Sequence, residues 1–276
     1  MKRLITIQDF SCVGRCSLTV ALPIISACGV ECAALPTALL SNHTAFSDFT
    51  FCDLTSEYSP IVNMWSKLSL DFDAVYTGYL GSQNLVKQTV SFIELQAKRG
   101  TQIFIDPAMG DYGKLYTGFD QDYADMTREM CRGAYMVLPN ITEACFMLHE
   151  EYKESYNEDY IKHLLIRLSE LGVKKSVLTG IGFAKDEIGF YMYDAESKEF
   201  SNYYGSKLPF AYHGTGDIFS SVAVGAALRG KSDFEALKMA TDFTYLSMKY
   251  TRDDEARRDY GVNFEEALPY LIENLK

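Results

Sequence analysis

A chain of 276 residues, 47% hydrophobic and 23% charged, has the length and composition of one large globular domain with a substantial core. Its formal net charge of -11 argues against nucleic acid and anionic membrane surfaces as partners, because both select basic patches, and a polyanionic substrate then needs a local positive site. The longest apolar stretch, residues 18–30, is interrupted by Pro23 and falls short of the roughly 20 residues that a membrane span needs, so a soluble protein is expected. Seven cysteines, odd in number and with no signal peptide ahead of them, point to reduced thiols in a cytoplasm. Cys12/Cys16 and Cys28/Cys32 have a spacing able to put two thiols on one helix face, but apolar neighbours and the lack of accompanying histidines favour small buried hydrophobes over zinc ligands.

In chain order, β-rich runs are predicted at residues 4–7, 32–36, 74–77, 102–105, 135–138, 176–179, 189–193 and 199–204. The last two, joined through 194–198, read as an antiparallel hairpin. Between the strands, Ser82 caps a predicted helix running to Gly100 and Asn157 caps one running to Gly172. Ser232 with Glu235, and Asn263 with Glu266, have capping-box spacing. The alternation predicts a doubly wound, mostly parallel α/β sheet with helices on both faces, as a single domain over residues 1–276. Polar groups gather just past several strands, where open parallel sheets place their ligand crevice.

Ser41-Asn42-His43-Thr44 and Gly78-Tyr79-Leu80-Gly81-Ser82 bring hydroxyl, amide and aromatic groups able to hold a small heteroaromatic ring, with Tyr79 stacking and Ser41 or Thr44 hydrogen-bonding. His43 is also readable as a hydrogen-bonded structural histidine. Asp106-Pro107-Ala108-Met109-Gly110-Asp111 sets two carboxylates past a strand end, suited either to Mg²⁺ through water or to a plain capping turn. The following 112–118 stretch, flexible and carrying Lys114, Tyr112 and Tyr116, has the make-up of a closing flap or of an ordinary exposed loop. Pro139-Asn140-Ile141-Thr142-Glu143 has cap spacing, and Glu143 is a candidate outer-sphere magnesium ligand.

Gly214-Thr215-Gly216-Asp217, running into the apolar 218–228, carries the most information. Two glycines let the backbone turn and approach a ligand, and the helix start offers unpaired N–H groups and a positive dipole end to an anion. A carboxylate there repels phosphate. Its presence makes sense if Asp217 takes a proton from an acceptor hydroxyl during phosphoryl transfer; the alternative is an acidic first turn that merely complements the dipole. His213, just before the turn, is placed either to meet nucleotide or as a loop histidine.

These motifs, with Ile7-Gln8 at the end of the first strand, occur in an order that closely resembles the pyridoxal/pyridoxamine kinases of the ribokinase superfamily over nearly the whole chain. The resemblance implies ATP-dependent phosphorylation of the 5′-hydroxymethyl group of a B6 vitamer, with Mg²⁺ and often a monovalent cation such as K⁺, usually in a homodimer. By position it implies Asp217 as catalytic base, Gly214, Thr215 and Gly216 as anion hole, and Asp106, Asp111 and Glu143 around magnesium and phosphates. Asn140 and Thr179, with His213, Lys114 and Tyr116, are expected beside the nucleotide, and Ser41, His43, Thr44 and Tyr79 beside the ring. One departure stands out: many members have Ile-Gln-Ser where this chain has Ile7-Gln8-Asp9, with Ser11 two residues on. A carboxylate there favours a cationic amine or a protonated ring nitrogen, hence pyridoxamine. The alternatives are a hydroxymethylpyrimidine kinase of the thiamine pathway and a non-catalytic vitamer-binding protein.

Overall fold

A computed structural model describes all 276 residues. From the N-terminus run β1 (Arg3–Ser11), α1 (Leu18–Ala27), β2 (Glu31–Leu40), β3 (Phe51–Asp53), α2 (Thr55–Lys67), β4 (Ala74–Thr77) and α3 (Gln83–Lys98). Next come β5 (Gln102–Ile105), β6 (Gly110–Asp111), β7 (Lys114–Leu115), α4 (Gln121–Met130), β8 (Met136–Val137), α5 (Ile141–Leu148) and α6 (Glu158–Ser169). The chain closes with β9 (Lys175–Ile181), β10 (Glu187–Asp194), β11 (Glu199–Ser206), α7 (Thr215–Leu228), α8 (Asp233–Asp253), a 3-10 turn (Glu265–Ala267) and α9 (Leu268–Asn274). Residues group into two compact units, one made of Met1–Ala74 with Gly205–Lys276 and the other of Val75–Tyr204.

In the first unit β1 and β2 pair in parallel and β3 adds antiparallel to β2. Ile5 and Ile7 are fully buried on one face and Leu4, Thr6 and Gln8 on the other, so β1 is covered on both sides and its residues need not alternate between apolar and polar. The register slips between Gln8 and Phe10, which puts Asp9 at an irregularity of the kind that re-aims a side chain. Helix α7 is buried from Ile218 through Ala226, the pattern of a central helix, and packs against α1 and α8. Gly225 permits the α1 contact: a Cβ there would lie 2.7 Å from Cys28 Sγ.

In the second unit β4, β5, β8, β9, β10 and β11 lie side by side in that order. The pairs β5/β8 and β8/β9 are parallel and β9/β10 is antiparallel. Ser82 and Asn157 cap α3 and α6 as expected, accepting from Leu85 N at 3.2 Å and Tyr160 N at 3.0 Å.

The capping boxes part ways. That of Ser232 and Glu235 forms, whereas Asn263 and Glu266 make none. The Asn263 amide is engaged elsewhere, accepting from Arg15 Nη1 and donating to Asp254 Oδ2 at 2.8 Å, so the segment enters a 3-10 turn at Phe264 without a side-chain cap. Residues 112–118 also differ from a flexible loop. They begin as a tight hairpin between β6 and β7, with Tyr112 at φ 50 and Gly113 at φ 74, the left-handed pair that a two-residue type I′ turn requires. Gly113 N donates to Thr142 Oγ1 at 2.9 Å and Asn140 Nδ2 to Gly110 O at 2.8 Å, which pins the hairpin to the start of α5. All seven cysteines are free, and Cys12 and Cys52 are exposed rather than buried. No helix is long and apolar enough to cross a membrane.

Candidate functional site

The glycine turn forms the N-terminus of α7. Gly214 takes a left-handed φ of 82, and a Cβ on it would lie 2.0 Å from Arg15 O, so both conformation and space demand glycine. Gly216 differs. It is helical and exposed, and a Cβ there would meet no atom within 4 Å. Nothing in the protein forbids a side chain at that point, although glycine costs helical stability, so the space above Gly216 is open. The first amides of α7, unpaired within the helix, lie at this space with the positive end of the dipole.

Asp217, half-buried in the first turn, accepts the Ser17 N–H on Oδ2 at 3.0 Å. Asp9 is 5% exposed and accepts the Ser11 hydroxyl on Oδ2 at 3.1 Å. Burial pushes the Asp9 carboxyl above its ordinary 3.8, against the opposing pull of neighbouring serine side chains. The Cys16 thiol is pushed up too, first by burial and then by the charges of Asp217 and Asp9. Asp9, Ser11, Cys16, Ser17 and Asp217 are therefore one polar cluster, joining the expected ring-binding residues at the end of β1 to the expected base.

His43 braces this cluster. Its Nδ1 accepts from Ala45 N at 3.1 Å, so Nε2 carries the proton and donates to Tyr260 O at 2.9 Å. With both nitrogens engaged and only 6% of the residue exposed, His43 has the bonding pattern of a structural histidine. Gly14 makes room for it, since a Cβ there would lie 2.3 Å from His43 Cδ2. Ser41 closes its own loop, receiving Thr50 N on Oγ at 2.9 Å and donating to Asn42 Oδ1 at 2.7 Å. Thr44 is exposed in the turn that follows, and His213, exposed, lies with its ring 5.7 Å from that of His43.

In the second unit Tyr79 is half-buried, 5.4 Å from Phe119, which in turn stacks on Tyr123 at 3.8 Å. Asn140 and Thr179 come together: Thr179 N donates to Pro139 O at 2.9 Å and the two residues form a parallel bridge. Asn140 N donates to Glu143 Oε2 at 2.8 Å and Glu143 N to Asn140 Oδ1 at 3.0 Å, a complete capping box, while Met109 N donates to Glu143 Oε1 at 3.0 Å. Both Glu143 oxygens thus hold backbone. Its carboxyl is raised well above the ordinary 4.5, by burial first and next by the charge of Asp106, with Asp111 adding to it. Asp106 accepts from Ala108 N at 3.2 Å and Asp111 from Tyr112 N at 2.8 Å. Lys114 and Tyr116 are exposed, the first on β7 and the second just past it.

Asp106, Asp111 and Glu143 do not form a three-side-chain cage for one bare ion. Carboxylates near enough for Asp106 and Asp111 to raise the proton affinity of Glu143 nevertheless suit a hydrated divalent cation, whose charge offsets their repulsion. The residues present therefore fit an outer-sphere Mg²⁺. Ser17 and Arg15 escaped notice in the sequence. Ser17 precedes the apolar run 18–30 and looks like an ordinary N-cap, while Arg15 gives no local signal at all.

A model of the phosphomethylpyrimidine kinase family matches residues 24–260. The fold of the whole chain is that of a protein from Bacteroides thetaiotaomicron described as a putative phosphomethylpyrimidine kinase and solved with pyridoxal: 36% identity, 98% of this chain and 95% of that one, TM-score 0.93. Pyridoxal kinase from Lactobacillus plantarum is similar at 30% identity, over 99% and 98% of the two chains, with a TM-score of 0.91. A pyridoxal kinase of Dictyostelium discoideum is 25% identical over 84% of this chain and 80% of its own.

Proposed function

Because the chain belongs to the phosphomethylpyrimidine kinase family, we propose that it transfers the γ-phosphoryl group of ATP to the 5′-hydroxymethyl group of a B6 vitamer. The observation that carries this is the start of α7, where an exposed glycine with open space above it lies next to Asp217. Asp217 takes the proton of the vitamer hydroxyl as its oxygen attacks the phosphorus in line, and the Ser17 N–H on Oδ2 keeps the carboxylate turned to that task. The α7 amides hold the charge that develops on the transferring group. Asp106, Asp111 and Glu143 would hold a hydrated Mg²⁺, which would offset phosphate charge. Asn140 and Thr179 line the nucleotide and Lys114 supplies it with positive charge, while Tyr79, seated on Phe119, and Thr44 meet the pyridine ring. The enzyme acts as a cytoplasmic homodimer.

The family description favours a second substrate, a hydroxymethylpyrimidine, which presents the same kind of primary alcohol on a heteroaromatic ring. A panel of pyridoxal, pyridoxamine, pyridoxine and hydroxymethylpyrimidine with Mg-ATP decides. Phosphorylation of B6 vitamers with at least about tenfold higher kcat/KM, an advantage of about 1.4 kcal/mol, is expected; the reverse order assigns the pyrimidine, and ATP consumption with none of the four contradicts both.

A further inference from the structure

Helix α5 opens with Asn140-Ile141-Thr142-Glu143, and three of these four side chains hold the same short piece of chain. Asn140 and Glu143 complete the capping box between them, so the helix start needs nothing from Thr142. Threonine is a modest helix former, and at 2% exposure its hydroxyl requires a partner. That partner lies outside the helix. Thr142 Oγ1 accepts the Gly113 N–H at 2.9 Å, from the tip of the β6/β7 hairpin. Asn140 Nδ2 donates to Gly110 O at 2.8 Å and Glu143 Oε1 accepts Met109 N at 3.0 Å, so the first turn of α5 grips the hairpin at its base and at its tip. Tyr152 closes the far side of the tip, where a Cβ on Gly113 would lie 2.6 Å from its Cδ1.

The hairpin held in this way carries two charged residues of opposite sign. Asp111 and Lys114 are the directly opposed pair that flanks the turn, so their side chains leave the hairpin on the same face. Asp111 Oδ1 takes the Tyr112 N–H at 2.8 Å, which fixes the carboxylate against its own turn. A surface pair of aspartate and lysine contributes little in water and needs no such anchoring. A carboxylate and an ammonium held side by side suit a ligand that is itself a cation bound to an anion, and a divalent ion on a phosphate chain is of that kind.

We propose that Thr142 is a positioning residue for the metal-bound nucleotide: by holding the hairpin tip at Gly113 it sets Asp111 and Lys114 at the spacing at which one takes a hydrated divalent cation and the other a phosphate oxygen. This rests on the kinase reading above. Thr142 itself touches neither the cation nor the nucleotide, and its effect passes through the backbone of the turn.

The test compares wild type with Thr142→Val, which keeps the shape and removes the hydroxyl, with Thr142→Ser, which keeps the hydroxyl, with Lys114→Ala, and with the Lys114→Ala/Thr142→Val pair. Three quantities are read: the affinity for ADP in the presence of Mg²⁺ by calorimetry, the KM values for Mg-ATP and for the vitamer, and hydrogen exchange of the Gly113 amide. Thr142→Val is expected to speed that exchange, and to weaken Mg-ADP binding and raise KM for Mg-ATP about fivefold, the size of one lost neutral hydrogen bond. The KM for the vitamer stays at its wild-type value. Thr142→Ser restores all three quantities. In the Lys114→Ala background Thr142→Val weakens Mg-ADP by less than it does alone, because part of its effect passes through Lys114. A purely structural Thr142 lowers the melting temperature or speeds exchange while Mg-ADP affinity holds; that result, unchanged exchange in Thr142→Val, or additive effects in the pair overturns the proposal. Binding of Mg-ADP by a wild-type protein that phosphorylates no alcohol ends the kinase reading and leaves this one standing, and failure of wild type to bind Mg-ADP overturns both.

Discussion

Replacing Gly216 by alanine separates stability from activity in a way that few substitutions do. The residue is helical, and a Cβ built there has no neighbour within 4 Å, so the substitution costs no packing or strain. In a helix, alanine is favoured over glycine by about 0.5–1 kcal/mol. Gly216 is the second residue of α7, where that preference is weaker, so about 0.5 kcal/mol is the reasonable gain, a rise of roughly 1–2 °C in melting temperature for a chain of this size. The methyl group enters the space assigned to the phosphate. Displacing one phosphate oxygen from the α7 amides forfeits a charge-assisted hydrogen bond worth about 1.5–3 kcal/mol, hence a roughly 10- to 100-fold fall in kcat/KM for ATP. Differential scanning calorimetry and a coupled ATP assay on the same preparation read both effects. A melting temperature that holds or rises together with an unchanged kcat/KM would show that the space above Gly216 is not where phosphate sits.

Asp9→Asn tests the electrostatics of the cluster. The Asp9 carboxyl is raised above 3.8 by burial, so the folded state keeps its proton to higher pH than the unfolded chain. Its contribution to stability is full below the unfolded value and is lost as pH rises through the folded one. Melting temperatures measured across pH are therefore expected to show the variant gaining on wild type from about pH 4 upward; a difference that is flat with pH contradicts this. Arg15→Ala removes the bonds to Asn263 and to half-exposed Glu265 and is expected to cost about 1–2 kcal/mol, mostly from Asn263, read as a lower urea midpoint. Gly113→Ala places a Cβ 2.6 Å from Tyr152 Cδ1 at φ 74 and is expected to loosen the β6/β7 hairpin, seen as faster proteolytic cleavage near residues 112–118 and a raised KM for ATP. Unchanged cleavage would mean that the hairpin tolerates the clash.

Features controlled by neighbours in the chain were legible without coordinates. The strands 74–77 and 102–105 have the bounds expected, and the caps at Ser82, Asn157 and Ser232 use the residues expected, because cap and strand signals act over three or four residues. Asp106, Asp111, Glu143 and Asp217 stood out as candidates because each sits where a short apolar run stops or starts, whereas the nucleotide role expected for Asn140 and Thr179 came from the family resemblance. What escaped depends on distant partners. Arg15 claims Asn263 from 248 residues away and so cancels a cap whose spacing was correct. His43 donates to a carbonyl 217 residues on, which makes it a brace, and the strands β3, β6 and β7 are too short to carry a period of their own. The backbone strain of Ser17, at φ 49, has no sequence signature, since serine before an apolar run reads as a cap in any chain.

In the proposed mechanism Asp217 takes the proton of the acceptor alcohol. Steady-state kinetics of Asp217→Asn with the preferred vitamer test it most directly, because asparagine keeps an oxygen able to accept the Ser17 N–H and loses only the basic group. The predicted result is a kcat lower by roughly 10²–10⁴ with little change in ATP affinity. A variant that turns over at near the wild-type rate would contradict it.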